Sequence, residues 1–225
     1  VAGIKPTSGR VPRTGHWPDF RGLFQAFTQL GPLARHVEDL ETILPIIAGP
    51  DGVDPHVYPV RLGDPRSVRV RGLRVALFTD NGVRTPTGET IEAVEAAGVA
   101  LGAAGAAVEE RRPPGLDELA DAWASMISAD GYAWLARLIT DAGTSGHGSY
   151  DSRGWVRFGD ALPGADLTAL IEHADRLRSR MLRWMADVDV IVCPAMPQPA
   201  RTSRRRSSNR SSSSVHLMAE TKEPV

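Results

Sequence analysis

A chain of 225 residues with 42% hydrophobic residues and a net charge of −1 is long enough for one large domain or two small ones and can bury a real core. The charge is uneven: residues 201–225 carry +4 and the first 200 carry −5, so the mildly acidic body argues against nucleic acid as a partner and only the tail suits one. The single cysteine, Cys193, excludes an internal disulfide and a multi-cysteine zinc site, and no apolar run approaches the roughly 20 residues that span a bilayer.

The chain opens at Val1 with no initiator methionine and no capped first element, so we expect a piece from the interior of a longer enzyme. No signal peptide opens it, which leaves the cytoplasm as the default location. Residues 1–32 hold Pro6, Gly9, Pro12, Gly15, Pro18, Gly22 and Gly31, a punctuation too dense for long helices; such a stretch lines a site or connects elements over the surface. A helix is expected from Pro32, with Leu33, Val37, Leu40, Leu44 and Ile47 on one face. Gly49 is its stop, and Pro45 kinks or shortens its last turn. Residues 50–72, rich in Pro, Asp and Gly, read as loop. Leu73–Thr79 gives a strand, and Thr87–Leu101 a helix with Ile91, Val94 and Leu101 inward and Gly98 admitting close packing. Ala106–Glu110 gives a second strand, closed by Pro113 and Pro114. That order is a βαβ unit, with parallel strands and a right-handed crossover.

A helix from Leu116 to Ile139 follows, with Leu119, Trp123, Met126, Trp134 and Leu138 near one side. Another runs from Asp166, as N-cap, to Met185, striped by Leu167, Leu170, Ala174, Leu177, Met181 and Met185. Arg176, Arg178, Arg180 and Arg183 suit its C-terminal half and read as a solvated face, with an anion site as the lesser alternative. Between the two helices, Gly143–Tyr150 is a candidate loop over a cleft. Val188–Cys193, nearly continuous in β-branched residues, is a third and buried strand ended by Pro194. The class is α/β.

No recognisable catalytic package stands in these residues. Gly143, Gly146 and Gly148 lack the Lys-Ser/Thr of a phosphate loop, and no Gly-x-Ser-x-Gly elbow occurs. His36 and Asp39 share a helix face, but two ligands make a poor metal site and a surface polar pair is the simpler reading; no metal and no cofactor are expected. Cys193 ends a buried strand, where a thiol is inert packing. Glu109 and Glu110 are neighbours on a strand, so they point to opposite faces and cannot act on one substrate atom. No nucleophile, base and orienting third group stand together.

The order of short motifs says more. Gly3-Ile4-Lys5-Pro6-Thr7 with Gly9-Arg10-Val11, then Gln29-Leu30-Gly31-Pro32-Leu33-Ala34-Arg35 with Val37-Glu38-Asp39-Leu40, then Ile47-Ala48-Gly49 with Asp51, resemble the amidase signature family. Arg71–Ala76 is similar to the family's GLRIG strand, Gly105 with Ala107-Val108-Glu109 to its LGAEV unit, and Asp187–Ala195 to its DYDVLLTPT strand. The likeness implies a partial α/β/α sandwich of the amidase signature type with a mixed sheet in residues 1–200. Residues 201–225 are then a disordered Arg/Ser-rich tail. The resemblance further implies hydrolysis of a carboxylic amide to acid plus ammonia or amine, or transamidation in the relatives that serve tRNA.

The family uses a serine nucleophile, a second serine in a cis peptide bond and a lysine as final base, with backbone N–H groups holding the oxyanion. In the family these residues precede the Lys-Pro-Thr motif, and no position of this chain matches them. Lys5 is not that base and Ser8 is not that nucleophile. We therefore assign no catalytic residue, expect the chain alone to be inactive, and carry over Gln29 as the substrate-contacting candidate. The expected ligand is a small-molecule amide, bound in the full-length parent. Neither membrane nor nucleic acid is expected as a partner, and the oligomeric state stays open. The competing reading is a non-catalytic interaction module, or a pseudogene product, with a basic tail. After Pro199 the family pattern stops, as a frameshift or a cloning scar would make it. Which amide is cleaved, and whether the parent is a free amidase or part of a tRNA-dependent amidotransferase, also stay open.

Overall fold

The computed structural model describes residues 1–17, 21–143 and 160–199. Its first ordered feature is a short antiparallel ladder, β1 (Ala2–Gly3) against β2 (Leu33–Ala34), with Ala2 opposite Ala34 and Gly3 opposite Leu33. The N–H of Ile4 extends it by donating to the carbonyl of Pro32 (3.2 Å). The ladder lays the two motif-bearing segments, 3–11 and 31–40, side by side. It also corrects the helix expected from Pro32. The peptide groups of residues 33 and 34 are committed to strand pairing, so α1 begins at Val37 and ends at Ile47, just past Pro45. Asp39 accepts the backbone N–H of His36 (3.1 Å) at the start of α1. The carboxylate thus satisfies a peptide donor and faces the positive end of the helix. Leu40 is buried and Leu44 and Ile47 half-buried, whereas Leu33 and Val37 face outward.

β3 (Arg74–Leu77), α2 (Gly88–Ala103) and β4 (Ala107–Glu110) form the expected βαβ unit, with β3 and β4 parallel. β5 (Val190–Val192) joins β3 on its other side, also parallel, giving the order β4–β3–β5. Parallel pairing therefore belongs to this sheet and antiparallel pairing to the β1–β2 ladder. β3 is central: Val75 and Ala76 are 2% and 1% exposed. β5, expected to be fully buried, lies at an edge of the described sheet and its three residues are half-buried. Gly98 of α2 does admit close packing, since a Cβ there would overlap Leu77 Cδ1 and lie 3.8 Å from Val108 Cγ1.

Ion pairs bolt the strand ends. Arg74 donates from Nε and Nη2 to the two oxygens of Asp189 (3.0 and 2.7 Å), and its backbone N–H adds a third bond (2.9 Å). These bonds, the guanidinium's first, hold the Asp189 carboxyl down at about 2. Arg111, just past β4, reaches Asp187 (2.8 Å) and lies 4.9 Å over the Trp184 ring.

The single helix expected over 116–139 is two, α3 (Leu116–Ser128) and α4 (Ala133–Asp141). Gly131 and Tyr132 take left-handed φ of 63° and 61° at the break, and Asp130 starts α4 by accepting the N–H of Trp134 (2.8 Å). α5 (Gly164–Trp184) packs on α3, with Pro163 at its N-cap and Asp166 in its first turn instead of at the cap. Leu177 of α5, 2% exposed, is the best-buried large side chain among the described residues; such burial contributes roughly 2 kcal/mol. The arginine-rich half of α5 splits. Arg176 and Arg178 stay at the surface beside Glu172 and Asp175, but Arg180 grips Glu118 of α3 with both terminal nitrogens (2.8 and 3.2 Å). The loop expected at Gly143–Tyr150 falls, from residue 144 onward, outside the described residues, as do residues 201–225. No described helix is long and apolar enough to cross a membrane.

The α2–sheet contact generates a test. Gly98→Val should cost about 1–3 kcal/mol in urea unfolding, because the added branches enter space held by Leu77. Gly88→Ala, where a Cβ meets nothing within 4 Å, should leave stability unchanged or raise it by up to about 1 kcal/mol.

Candidate functional site

The described residues among the first 32 hold little regular structure, so something other than a helix or sheet must fix them. That role falls chiefly to backbone, side chain–backbone and ionic contacts with residues 49–61, which follow α1. The Gly9 carbonyl accepts from Tyr58 N–H (3.0 Å) and the Arg10 carbonyl from Gly49 N–H (2.9 Å). Arg10 Nη1 donates to the carbonyls of Val60 (2.9 Å) and Arg61 (3.1 Å). Arg13 is the hub. Its Nε and Nη2 bond both oxygens of Asp54 (3.0 Å each), its backbone N–H bonds Asp54 Oδ2 (3.0 Å), and its Nη1 reaches the Gln25 carbonyl (3.0 Å).

This pair is buried, with side chains 9% and 6% exposed. The Arg13 guanidinium holds the Asp54 carboxyl far below the usual carboxylate range. Exclusion of water opposes that shift, and the N–H groups of Arg13 and His56 reinforce it. Asp51 is also held ionised, by the Thr14 hydroxyl first and then by the N–H groups of Asp54 and Val53 (2.9 Å each).

Gln25 lies in a 3-10 helix, Gly22–Phe27, that leads to Gln29. Phe24 of this helix stacks on Trp134 of α4 at 4.4 Å, tying the opening segment to the helical layer. Gln29 is half-buried and donates from Nε2 to Ser8 Oγ (2.9 Å). Thus Gln29 is brought against the Lys-Pro-Thr-Ser turn, while Lys5 and Ser8 themselves are exposed. Gly31 sits where a Cβ would overlap the Ile4 carbonyl oxygen and come within 2.8 Å of Pro6 Cδ; only glycine lets the two segments close on each other. Beside this contact opens a depression of about 430 Å³, apolar from Val11, Leu30, Pro32 and Ile43, with Thr14 and Asp51 as its polar groups. A second hollow of about 290 Å³ at the strand starts is edged by Arg74, Arg111 and Asp187, whose charges are already paired within the fold.

The remaining candidates are structural. His36 and Asp39 meet at a helix start, and among the described residues no cluster of three or more His, Cys, Asp or Glu is arranged to hold a metal. Cys193, expected as inert packing at the end of a buried strand, is instead exposed, because the strand lies at an edge of the described sheet; partial burial of its sulfur still pushes the thiol pKa up. Ser8, Ser67 and Ser128 hydrogen-bond to Gln29 and to backbone carbonyls, none to a lysine or histidine. The sequence reading did not find Asp54. Its only sequence signal is a position in a Pro/Asp/Gly-rich stretch, where aspartate is common for turn reasons.

Comparison with known proteins bears on the family and the fold. The sequence profile of the family described as Amidase matches residues 1–222. A glutamyl-tRNA(Gln) amidotransferase subunit of Deinococcus radiodurans is 34% identical over 176 residues, which cover 75% of this chain and 31% of that protein. An acylamidase of Rhodococcus erythropolis is 28% identical over 87% of this chain and 41% of its own length. In fold, 88% of the chain matches 36% of a solved fatty acid amide hydrolase with a TM-score of 0.75 at 21% identity. The chain spans less than half the length of each of these proteins.

The Arg13–Asp54 clamp makes a second prediction. Asp54→Asn leaves a buried guanidinium without its counter-charge and should cost about 3 kcal/mol or more in chemical unfolding. The folded pKa of Asp54 lies below the unfolded value of about 3.9, so the stability it contributes is complete above about pH 5 and is lost as pH falls through 4 toward the folded pKa. The variant's unfolding midpoint should therefore be flatter than the parent's across pH 5 to 2.

Proposed function

The chain belongs to the amidase family, and from that membership we propose that it forms the scaffold and part of the substrate wall of an enzyme that hydrolyses a carboxylic amide C–N bond. The observation that supports this most is the closed contact of the Lys-Pro-Thr-Ser turn with the Gln29–Pro32 segment. It gathers the family's two motifs around one half-buried carboxamide. In this reading a serine nucleophile, with a lysine behind it, comes from polypeptide outside residues 1–225. The serine oxygen bonds to the amide carbon, the C–N bond breaks, the relayed proton leaves with the amine, and water releases the acid from the acyl-enzyme.

Gln29 takes a positioning role. Its Nε2 is engaged by Ser8, which orients the carboxamide and leaves Oε1 as an acceptor for a substrate N–H. The clamp through Arg13 and Gln25 holds the turn that presents it. The Val11, Leu30 and Pro32 surface beside it suits the apolar part of an aryl or alkyl amide.

The purified 225-residue chain should release no ammonia from propionamide or benzamide and take up no fluorophosphonate label. A longer polypeptide that also carries the family's lysine and serine segments should do both. In that longer enzyme Gln29→Ala should raise KM about 2- to 10-fold, the loss of one neutral hydrogen bond, with a smaller change in kcat. Covalent labelling of a serine within residues 1–225, or an unaltered KM, would each remove part of the reading.

A further inference from the structure

The parallel sheet β4–β3–β5 has two outer edges among the described residues, and their chemistry differs. At β4 all four residues are exposed, two of them are glutamates, and Arg111 and Arg112 follow directly. Charges so dense along an edge oppose pairing with another strand. β5 is the reverse. Val190, Ile191 and Val192 are half-buried, Cys193 follows, and no charge stands among the four. An unbroken run of β-branched residues is the composition of a strand inside a sheet, covered on both faces. Here that composition occupies an edge, and nothing in it guards the edge against a further strand.

The hydrogen bonds identify the groups left over. The Val192 carbonyl accepts the N–H of Phe78 (3.1 Å), so it points toward β3. Peptide groups alternate in direction along a strand, so the N–H and C=O of Ile191 point away from β3. They meet no partner among the described residues. On β4 the N–H groups of Ala107 and Arg111 donate to the carbonyls of Leu73 (2.8 Å) and Leu77 (2.9 Å), at the two ends of β3. The outward groups of β4 are therefore those of Val108 and Glu110. An apolar strand that leaves a peptide donor and acceptor half-covered and unbonded is a place where pairing is favourable.

The proposed function puts the serine and lysine in polypeptide outside residues 1–225, and the chain spans less than half the length of the relatives it matches. We propose that this outside polypeptide joins the sheet at β5, as an apolar strand that pairs with Ile191 and covers Val190 and Val192, and that β4 is the outer edge of the whole enzyme's sheet. The inference rests on the amide-cleaving reading for the existence of the extra polypeptide and not for its chemistry.

The test is amide hydrogen exchange, read residue by residue, in the longer polypeptide and in the 225-residue chain. In the longer polypeptide the Ile191 N–H should exchange at least about 100-fold more slowly than those of Val108 and Glu110, and in the 225-residue chain all three should exchange alike. The comparison within the longer polypeptide decides the matter even if the shorter chain does not fold. Proline is tolerated where an N–H faces solvent and costs a ladder bond inside a sheet, so in the longer polypeptide Ile191→Pro should lower the urea midpoint by about 1 M or more and Glu110→Pro far less. Fast exchange at Ile191 in the longer polypeptide, or protection of Val108 and Glu110 in its place, overturns the inference. Protection of Ile191 already present in the 225-residue chain overturns it too; the occupant is then a second copy if the protection rises with concentration, and another part of the same chain if it does not. None of these readouts needs turnover: a longer polypeptide that protects Ile191 but cleaves no amide removes the amide-cleaving reading alone, and an active one with an open Ile191 removes this inference alone.

Discussion

The guanidinium of Arg13 decides the shape of the amino-terminal third of this protein. The described residues of the segment 1–32 have a two-residue ladder and one 3-10 helix as their regular structure, too little to hold a chain in place against its conformational entropy. Arg13 supplies the missing constraint because it is planar, always charged and able to donate in several directions at once. It grasps Asp54 with two nitrogens and Gln25 with a third, so the loop after α1, the 3-10 helix and the glycine-rich opening are tied to one rigid group. A buried ion pair adds little net stability over a well-packed apolar substitute. Its value here is directional: an apolar pair of the same volume would fill the space without fixing where Gln25, and hence Gln29, points.

The parts legible in the sequence are those governed by periodicity. The βαβ unit from β3 to β4 follows from two short apolar runs around one helix with Gly98 on its inner face, and the stripe from Leu167 to Met185 follows from the three- and four-residue spacing. Local competition hid the rest. Leu33 fits the stripe of α1 but is taken by strand pairing with Gly3, a contact between segments that no helical spacing encodes. The apolar positions from Leu116 to Leu138 keep helical spacing through Asp130, Gly131 and Tyr132, although two left-handed residues break the helix there. Asp54 was illegible because an aspartate in a turn-rich stretch looks the same whether it caps a turn or neutralises a buried arginine.

The candidate site divides in the same way. The family resemblance named Gln29, and the fold sets it 2.9 Å from Ser8. Only the fold reveals why Gly31 is glycine: the Ile4 carbonyl occupies the position of its side chain. The two motif segments are thus halves of one contact, and each is intelligible through the other. The ionised Asp51 and the hydroxyl of Thr14 belong to that contact as well, as the polar edge of an otherwise apolar depression.

The order β4–β3–β5 has a temporal side. Val75 of the central strand pairs with Val108 soon after both are made, but with Val190 only once the whole helical layer has been translated. At about 5–20 residues per second that interval is on the order of 10 s on the ribosome, during which one flank of β3 offers bare peptide groups. The nascent chain is therefore most prone to wrong strand pairing while α3, α4 and α5 are emerging, a window in which a chaperone has more to protect than in the finished molecule.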